Sequence, residues 1–460
     1  MIERQKVQKK NRMLYWAVLS LVLVLPLAWR NSFATTFGQL FGYLIILYIF
    51  IRGASKKHIF IGRNVASLFG VVFFWIVISA FDSIRFYSAY GTLSGETTFT
   101  APLGSIYFHL FHTALFAGYI SLVEDREEIE NTLKKGLNTI IWIQITVGII
   151  QLMIVLGIPG IANIYDGFNF LEMLPTASFI RGMSRITMTG TEPASLGASL
   201  GMLSFPYLLA VLQGSDSAKE KMSCWIKLLL LLVLSYFSKS TTLFVIIAVS
   251  AASFVLWSSR EGRLSKKNTA VGMTIIILVA FALLLISITG SVRLGGNIFE
   301  EVRYYLIVKP TDTANMSTMH RLSPTVNDIA IIRQHPLLGV GDGNQGFTYK
   351  QNVPSYMLIN PKSQDFANGI GGVVNGGAWF WAILSGYGLV GFLAILIWYI
   401  NHYKMNLKAL RQKNDFLYRF FIFAVPAIIV TLLAGAMEPV IVFILSIPLW
   451  SIKQQDSQYD

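Results

Sequence analysis

The chain has 460 residues, of which 54% are hydrophobic and only 13% charged, and its mean hydropathy is +0.57. A soluble domain of this length does not need so much apolar surface to fill its core, so the composition predicts a polytopic membrane protein. The single cysteine, Cys224, excludes an intramolecular disulfide and a cysteine-cluster metal site. The net charge of +13 is dispersed over the ends of apolar runs, which argues against nucleic acid as a partner.

Apolar runs of about 20 residues, the length that crosses a bilayer, recur along the chain. They predict an all-α protein with about twelve transmembrane helices. The predicted spans are 13–29, 36–51, 65–81, 101–122, 137–157, 193–212, 225–238, 241–257, 269–289, 377–400, 418–434 and 437–452. The first run has no small-residue cleavage site and reads as an anchor, not a signal peptide. The seventh and eighth runs are short, and a single bent helix there would invert the topology downstream.

The predicted organisation is a membrane part over 1–289, a long polar loop over 290–376 and a second membrane part over 377–460. Short cytoplasmic loops carry an excess of lysine and arginine. The basic residues follow that alternation when both termini are cytoplasmic, which places the long loop on the outer side. We therefore expect a multi-pass membrane protein with both termini on the cytoplasmic side.

A few basic residues fall on the predicted outer side, where insertion does not favour them. Arg181 and Arg185 precede the sixth span, Lys239 lies between the seventh and eighth, and the long loop contains Arg303 and Arg321. Each could be a solvated loop residue or a snorkelling anchor. Together they would suit an anionic ligand such as a lipid-linked diphosphate, because guanidinium groups bind phosphate oxygens bidentately.

Glu192 stands at the mouth of the sixth span, directly before Pro193. An acidic residue there is favoured by the helix dipole alone. It could also be a partly desolvated carboxylate that acts as a base. Apart from Glu438 beside the last span, the sequence places no acidic residue well inside a predicted span, which disfavours an ion-coupled carrier.

Within the long loop, Ser323 is the predicted N-cap of an amphipathic helix that begins at Pro324 and is stopped by Pro336. The glycine run Gly341-Asp-Gly-Asn-Gln-Gly346 follows this helix and has the G-x-G-x-x-G pattern of dinucleotide-binding sites. No predicted strand precedes it, so a dinucleotide site is not expected here. The glycines are expected to form a tight turn that approaches another segment closely. No ATPase motif, Asp-x-Asp pair or histidine cluster with metal-ligand spacing is present, so neither a metal nor a cofactor is expected.

Four segments in order resemble the Wzy-like family of bacterial O-antigen polymerases and ligases. They are Arg185-Ile-Thr-Met-Thr-Gly-Thr-Glu-Pro-Ala194, Ser238-Lys-Ser-Thr241, Arg321 followed by His335-Pro-Leu-Leu-Gly-Val-Gly-Asp-Gly-Asn344, and Asn375 leading into Leu384-Ser-Gly-Tyr-Gly-Leu-Val-Gly391. The resemblance covers roughly residues 180–400. It implies a GT-C-like membrane fold, location in the bacterial cytoplasmic membrane and glycosyl transfer at the outer face of that membrane.

The implied substrates are glycans on undecaprenyl diphosphate, with no nucleotide donor and no metal, and a chain-length regulator is an implied partner. The expected catalytic residues are Glu192, Arg185, Arg321 and His320. The expected diphosphate-binding residues are Arg181, Lys239 and Arg303. The expected loop motif is His335, Gly339, Gly341, Asp342 and Asn375. Asp342 and His320 are alternatives to Glu192 as the base, and the loop is expected to lie as a lid over residues 181–192 and Lys239.

Two positions at which this sequence departs from the family pattern distinguish a polymerase from a ligase. Ligases carry a histidine before the span that follows the loop, and Asn375 stands there; the usual arginine of the Ser-Arg hinge is Lys239. We therefore expect a polymerase that joins repeat units into a surface polysaccharide. The alternatives are a ligase that transfers the glycan to lipid A core, a flippase or other transporter of lipid-linked oligosaccharides, and a non-catalytic partner of a glycan machine.

Overall fold

The computed structural model describes residues 14–21, 44, 47, 51, 63–121, 126–168, 175–189, 193–238, 240–260, 316–370, 377–435 and 439–451. Nearly all regular structure in those ranges is helical. Their β pairing is limited to one isolated bridge between Leu93 and Glu96. The predicted all-α class is confirmed for this part of the chain.

The helices are numbered in chain order. They are α1 Arg63–Tyr90, α2 Ala101–Ser121, α3 Arg126–Val155, α4 Ile161–Phe168, α5 Ala177–Met183, α6 Pro193–Ser199, α7 Phe205–Gly214, α8 Ala218–Ser238, α9 Thr241–Arg260, α10 Met316–Gln334, α11 Tyr349–Asn352, α12 Pro361–Ala367, α13 Trp379–Lys413, α14 Asp415–Ala434 and α15 Pro439–Ser446. A π-helical turn, Leu200–Ser204, joins α6 to α7, and 3₁₀ turns occupy Gln345–Thr348 and Ile447–Ser451.

Six helical stretches of the described chain are long and apolar enough to cross a membrane, which supports a membrane protein. They are Asn64–Tyr90, Ile129–Val155, Leu196–Gly214, Ala218–Ser238, Trp379–Gln412 and Asp415–Leu433. Val245–Arg260 and Pro439–Trp450 are shorter apolar helices. The predicted span 269–289, and most of 13–29 and 36–51, lie outside the described residues.

The predicted seventh and eighth spans are two helices and not one bent helix. α8 packs on α7 after a three-residue connection, Ser215–Ser217, so these two helices are antiparallel. α9 runs parallel to α6 and α7, because Leu243 packs against Gly197 and Ser258 bonds to Gln213. α8 and α9 therefore run in opposite directions.

The directions of the other long helices define two ends of the bundle. α1 and α13 are antiparallel, since Ser67 bonds to His402 while Trp75 bonds to Gly391. α13 and α14 are antiparallel, since the Trp379 amide donates to the Gly435 carbonyl. The end that carries the C-terminus of α1 and the N-termini of α2 and α13 is called the loop end.

Every described connection follows the predicted alternation between the two ends. The loop end collects the stretches predicted to lie outside, including residues 82–100, 158–189 and 335–348. The opposite end collects 126–134, 214–220 and 401–419, all predicted to lie inside, and Asn414 Nδ2 donates to Glu130 Oε2 there at 2.7 Å. The geometric partition is thus as expected, while which end faces the cytoplasm stays a prediction.

Two boundaries predicted from the sequence are wrong. α10 begins at Met316 and continues through Pro324, so Ser323 is not an N-cap; its hydroxyl donates to the Met319 carbonyl one turn earlier. The predicted stop before Pro336 is confirmed, because α10 ends at Gln334. α1 extends to Tyr90, beyond the predicted end at residue 81, and carries polar residues into the bundle.

Candidate functional site at the loop end

α13 is broken one third of the way along its length. Gly388 has φ 63° and ψ −167°, a conformation open essentially to glycine alone. In an unbroken helix the amides of Leu389 and Val390 would donate to the carbonyls of Ser385 and Gly386. The break removes both bonds inside an apolar bundle, where an unpaired backbone group costs several kcal/mol.

The segment 336–341 provides hydrogen-bond partners for the two amides and the two carbonyls that the break leaves unpaired. The Leu389 amide donates to the Pro336 carbonyl at 2.8 Å, and the Val390 amide donates to the Leu337 carbonyl at 3.1 Å. In return, the Ser385 carbonyl accepts from the Val340 amide at 3.0 Å and the Gly386 carbonyl from the Gly341 amide at 2.9 Å. Residues 335–348 are called the glycine turn.

Glycine is required on both sides of this joint. Gly339 and Gly341 have φ of 79° and 82°. A Cβ at Gly339 would lie 2.7 Å from the Gly386 carbonyl carbon, and one at Gly386 would lie 2.8 Å from the Asp342 Cα. The predicted tight turn and close approach are confirmed, and the approached segment is α13.

A buried hydrogen bond between a histidine and an aspartate attaches the glycine turn to α2. His109 Nε2 lies 2.8 Å from Asp342 Oδ2, with both side chains less than a tenth exposed. The second Asp342 oxygen accepts from Gln345 Nε2 at 2.9 Å. With both oxygens occupied below the surface, Asp342 is a poor choice for the base that would activate an acceptor.

A second buried acid attaches α10 to α13. Asp328 Oδ1 accepts from the Ser385 hydroxyl at 2.7 Å, and Oδ2 accepts from the Gly377 amide at 2.6 Å. Burial raises the pKa of Asp328 to about 7, against the opposing effect of these two hydrogen bonds. Neighbouring Asn327 donates to the Gln345 carbonyl at 2.8 Å and so holds the far side of the turn.

Asp82 lies just past the predicted span 65–81, but the structure includes it in α1, a helix long and apolar enough to cross a membrane. It is fully buried, and neither carboxylate oxygen has a hydrogen-bond partner in the described chain. Arg85 Nη1 lies 3.7 Å from Asp82 Oδ1, but the Arg85 side chain is 45% exposed. An ion-coupled carrier is therefore no longer disfavoured by the lack of such an acid.

Aromatic rings and a basic side chain cover the outer surface of the glycine turn. The Arg85 guanidinium lies 4.7 Å from the centre of the Phe86 ring, and His335 meets the same ring edge-on at 5.1 Å. Tyr90 stacks between Phe86 and Phe347. Desolvation, and secondly the nearby Arg85 charge, lowers the pKa of His335, so neutral imidazole is favoured there.

The segment 184–189 forms a second group at the loop end. Gln151 of α3 fixes it: Gln151 Oε1 accepts from the Thr187 and Met188 amides at 2.8 and 2.7 Å, and Nε2 donates to the Met188 carbonyl at 2.9 Å. The Ile186 amide donates to the Phe237 carbonyl near the end of α8. Arg185 is half-buried and Arg181 is exposed on α5, which packs on α3 and α4.

The structure thus separates the predicted site residues into two groups. His335, Gly339, Gly341 and Asp342 meet α1, α2 and α13, whereas Arg181 and Arg185 belong to the segment held by α3. The predicted lid over residues 181–192 is wrong for the glycine turn, because it is inserted into the bundle. The predicted residues Glu192, Lys239, Arg303 and Asn375 lie outside the described residues, as do the side chains of Arg321 and His320 on α10.

Sequence reasoning missed the residues that hold the turn. The available signals were His109 inside an apolar run, Asp82 just past one, and Asp328 within a short amphipathic pattern. A polar residue in such a position indicates a buried network, but nothing local names its partner. Gln151, an amide in an apolar stretch of α3, was missed for the same reason.

No protein-family model matches the chain, and no curated protein matches it either.

Proposed function

We propose that this protein is a membrane glycosyltransferase that polymerises oligosaccharide repeat units carried on undecaprenyl diphosphate. One observation carries the proposal. The four sequence segments that resemble the Wzy-like family lie far apart in the chain. Residues 336–341 of the third segment nevertheless bond to residues 385–390 of the fourth, and Ile186 of the first bonds to Phe237, the residue before the second.

The contact between the third and fourth segments supports the proposal, because they are distant in the chain and yet share four backbone hydrogen bonds, as parts of one site would. The motifs supply a fixed backbone scaffold at the membrane surface, which is where a lipid-linked substrate presents its diphosphate.

The proposed reaction is a direct displacement. A hydroxyl oxygen on the non-reducing end of the acceptor repeat unit forms a bond to the anomeric carbon of the donor chain. The bond from that carbon to the diphosphate oxygen breaks, and undecaprenyl diphosphate leaves with the electron pair. The hydroxyl proton goes to a base, for which Glu192 is the candidate.

Arg185 and Arg181 are proposed to stabilise the departing diphosphate. Guanidinium groups bind phosphate oxygens in pairs, and stabilising charge that develops in the transition state lowers the barrier directly. Arg85 is a further candidate, because it stands half-exposed above the glycine turn.

The test is in vitro polymerisation by the purified protein in nanodiscs. Lipid-linked repeat units extracted from the producing cells are the substrate, and a ladder of longer lipid-linked glycans on a gel is the expected product. A ligase requires lipid A core as acceptor and gives no ladder without it. A flippase or a scaffold forms no new glycosidic bond, so an unchanged repeat unit overturns the proposal.

A second candidate function is an ion-coupled carrier of lipid-linked oligosaccharides, and two observations favour it. Broken helices and acids buried within spans are features by which carriers bind coupling ions, and α13 and Asp82 provide both. Fluorescent lipid-linked oligosaccharide in proteoliposomes distinguishes the candidates. Ion-dependent movement between leaflets with no polymer formed would support the carrier.

A further inference from the structure

The short helix α4 packs beside the last turns of α3 at the loop end of the bundle. Its Tyr165 is buried in a cluster with Ile154 and Ile180, and the Tyr165 hydroxyl accepts from Gln151 Nε2 at 3.0 Å. The apolar span of α3 has 27 residues, which is about 40 Å of helix. That length exceeds the hydrocarbon core of about 30 Å, so the last turns of α3, and α4 beside them, reach the boundary between acyl chains and headgroups.

α4 has three distinct faces. One face packs on α3 through Tyr165. Ile164 and Phe168 lie one turn apart on a second face, called the apolar stripe, and are 57% and 84% exposed. Asn163 and Asp166 are exposed on a third, polar face. A helix with separate packed, apolar and polar faces suits the interface between water and lipid.

The exposed side of α3 indicates what covers the apolar stripe. Trp142, Ile149 and Leu156 are exposed and recur every seven residues, so they lie on one side of the helix. A side of a spanning helix that the bundle leaves exposed contacts lipid. Ile158 in the following turn is exposed too, and residues 136–165 contain no charged side chain. The lipid-facing surface of α3 therefore extends along the chain into α4.

Hydrogen bonds connect α4 to the start of α5. Asp166 Oδ1 accepts from the Ala177 amide at 2.8 Å, and the Tyr165 hydroxyl donates to the Pro175 carbonyl at 3.0 Å. α4 and α5 also pack on each other. Arg181 is exposed in the last turn of α5. The depth of α4 in the bilayer therefore sets the depth of Arg181.

We propose that α4 is an interfacial helix whose apolar stripe lies among the acyl chains just below the headgroups, and that it holds Arg181 at the level of the lipid phosphates. The occupant of the stripe is the bilayer. The consequence for catalysis rests on the proposed function, because the diphosphate of a lipid-linked glycan lies at that same level. The position of α4 itself does not depend on the reaction.

The first experiment measures the depth of single spin labels on the full-length protein in nanodiscs of phosphatidylcholine and phosphatidylglycerol. The only cysteine, Cys224, is buried, so a thiol-reactive label attaches selectively to an introduced cysteine. The labelled variants are Ile164→Cys, Phe168→Cys and, as the matched control on the polar face, Asn163→Cys. Electron paramagnetic resonance then gives the accessibility of each label to oxygen, which concentrates in lipid, and to a nickel chelate, which stays in water.

We expect the ratio of oxygen to nickel accessibility to be at least about fivefold higher at positions 164 and 168 than at position 163, with the first two labels about 5–10 Å below the phosphates. Equal ratios at the three positions would place the stripe in water. Shielding of both stripe labels from both reagents would place it under another part of the protein. Either result overturns the proposal.

Phe168→Asp tests the positioning role of α4 in the polymerisation assay. A carboxylate is costly among acyl chains, so it should move α4, and Arg181 with it, towards water and lower the polymerisation rate at least about fivefold. The Tm in detergent should stay within about 2 °C of the wild type, because the Phe168 side chain is exposed. Phe168→Leu, which stays apolar, and Asn163→Asp, which puts the same charge on the polar face, should keep the rate within about twofold.

The two experiments separate failure of this proposal from failure of the proposed function. A wild-type rate from Phe168→Asp overturns the positioning role, as does an equal loss in Phe168→Leu or Asn163→Asp. If the wild-type protein forms no polymer, the proposed function fails, and the spin-label depths alone decide whether α4 lies in the interface.

Discussion

The His109 imidazole and the Asp342 carboxylate lie 2.8 Å apart although 233 positions separate them in the chain. This pair attaches the glycine turn to α2. Removing one partner leaves the other buried without its hydrogen bond, a change that typically costs about 1–3 kcal/mol. His109→Ala should therefore lower Tm strongly and expose residues 335–348 to protease.

His112→Ala is the control for that experiment. His112 lies one turn further along α2, and its Nδ1 bonds to the Phe108 carbonyl of its own helix, so its loss should leave the turn protected. A double-mutant cycle of His109→Ala with Asp342→Asn should give a coupling energy of at least about 1 kcal/mol. Additive effects would contradict the assigned role of the pair.

Gly343→Ala should destabilise the protein far more than Gly95→Ala. Both glycines have positive φ, so both substitutions cost about 1 kcal/mol of backbone strain. A Cβ at Gly343 would additionally lie 2.6 Å from Pro102 Cα and 2.7 Å from the Ala101 carbonyl oxygen, whereas one at Gly95 meets nothing within 4 Å. Unfolding temperatures of the two variants test this directly, and equal shifts would contradict the described packing.

Arg185→Ala tests the proposed role of the arginines in glycosyl transfer. Loss of one group that stabilises developing charge typically lowers the rate about 100- to 1000-fold. The ladder should collapse to single repeat units while the amount of protein in the membrane is unchanged. Lys219→Ala, an exposed cation at the opposite end, should leave the ladder intact. A wild-type ladder from Arg185→Ala would count heavily against the site.

Gln151→Met tests whether the backbone of residues 187–188 must be held in place. The variant keeps the side-chain length but removes three hydrogen bonds to Thr187 and Met188, so we expect a loss of about 2–4 kcal/mol of stability. Activity per folded molecule should fall with it.

Gln144→Met is the matched control in the same helix. Gln144 is equally buried but bonds to the hydroxyls of Ser199 and Ser204, beside the π turn. Gln144→Met should lower the stability of the protein about as much as Gln151→Met does. It should retain more activity per folded molecule than Gln151→Met. Equal activity losses in the two variants would indicate that Gln151 has no special positioning role.

Asp328 gives the stability of the protein a predictable pH dependence. Its folded pKa is raised to about 7 from 3.8, so the folded state binds more protons than the unfolded state between these values. Its contribution is therefore fully present below about pH 4 and is lost as pH rises through about 7. Between pH 5 and 8 the free energy of unfolding of Asp328→Asn should therefore fall by on the order of 2–4 kcal/mol less than that of the wild type. The measurement is Tm as a function of pH, which should be flatter for the variant. An unchanged slope would show that Asp328 does not titrate there.

Much of the helical framework could be predicted from hydropathy, because apolar runs of membrane length have few alternatives to a helix. The glycine turn was also predictable, since positive φ at closely spaced positions is a local property of glycine. The identity of the segment that it approaches was not. Residues 336–341 and 385–390 meet through backbone hydrogen bonds, which leave no mark on side-chain pattern.

The boundary errors have a common physical cause. The span prediction ended α1 at residue 81 because Asp82 and Arg85 are polar. In the structure the glycine turn covers that region, so α1 can continue to Tyr90. Similarly, Ser323 and Pro324 form a good helix start in isolation, yet the helix begins earlier because Met319 is buried in a cluster with Tyr349 and Phe366. Tertiary packing decided both positions.

The break at Gly388 also constrains how the chain can be assembled. A helix that enters the membrane normally satisfies its own backbone, and so can insert without waiting for neighbours. In α13, four backbone groups have no hydrogen-bond partner until residues 336–341 are in place. They are the carbonyls of Ser385 and Gly386 and the amides of Leu389 and Val390. Since residues 336–341 are synthesised first, their docking is a step of membrane-protein biogenesis, and a chain that fails at this step would carry an incompletely bonded helix into the bilayer.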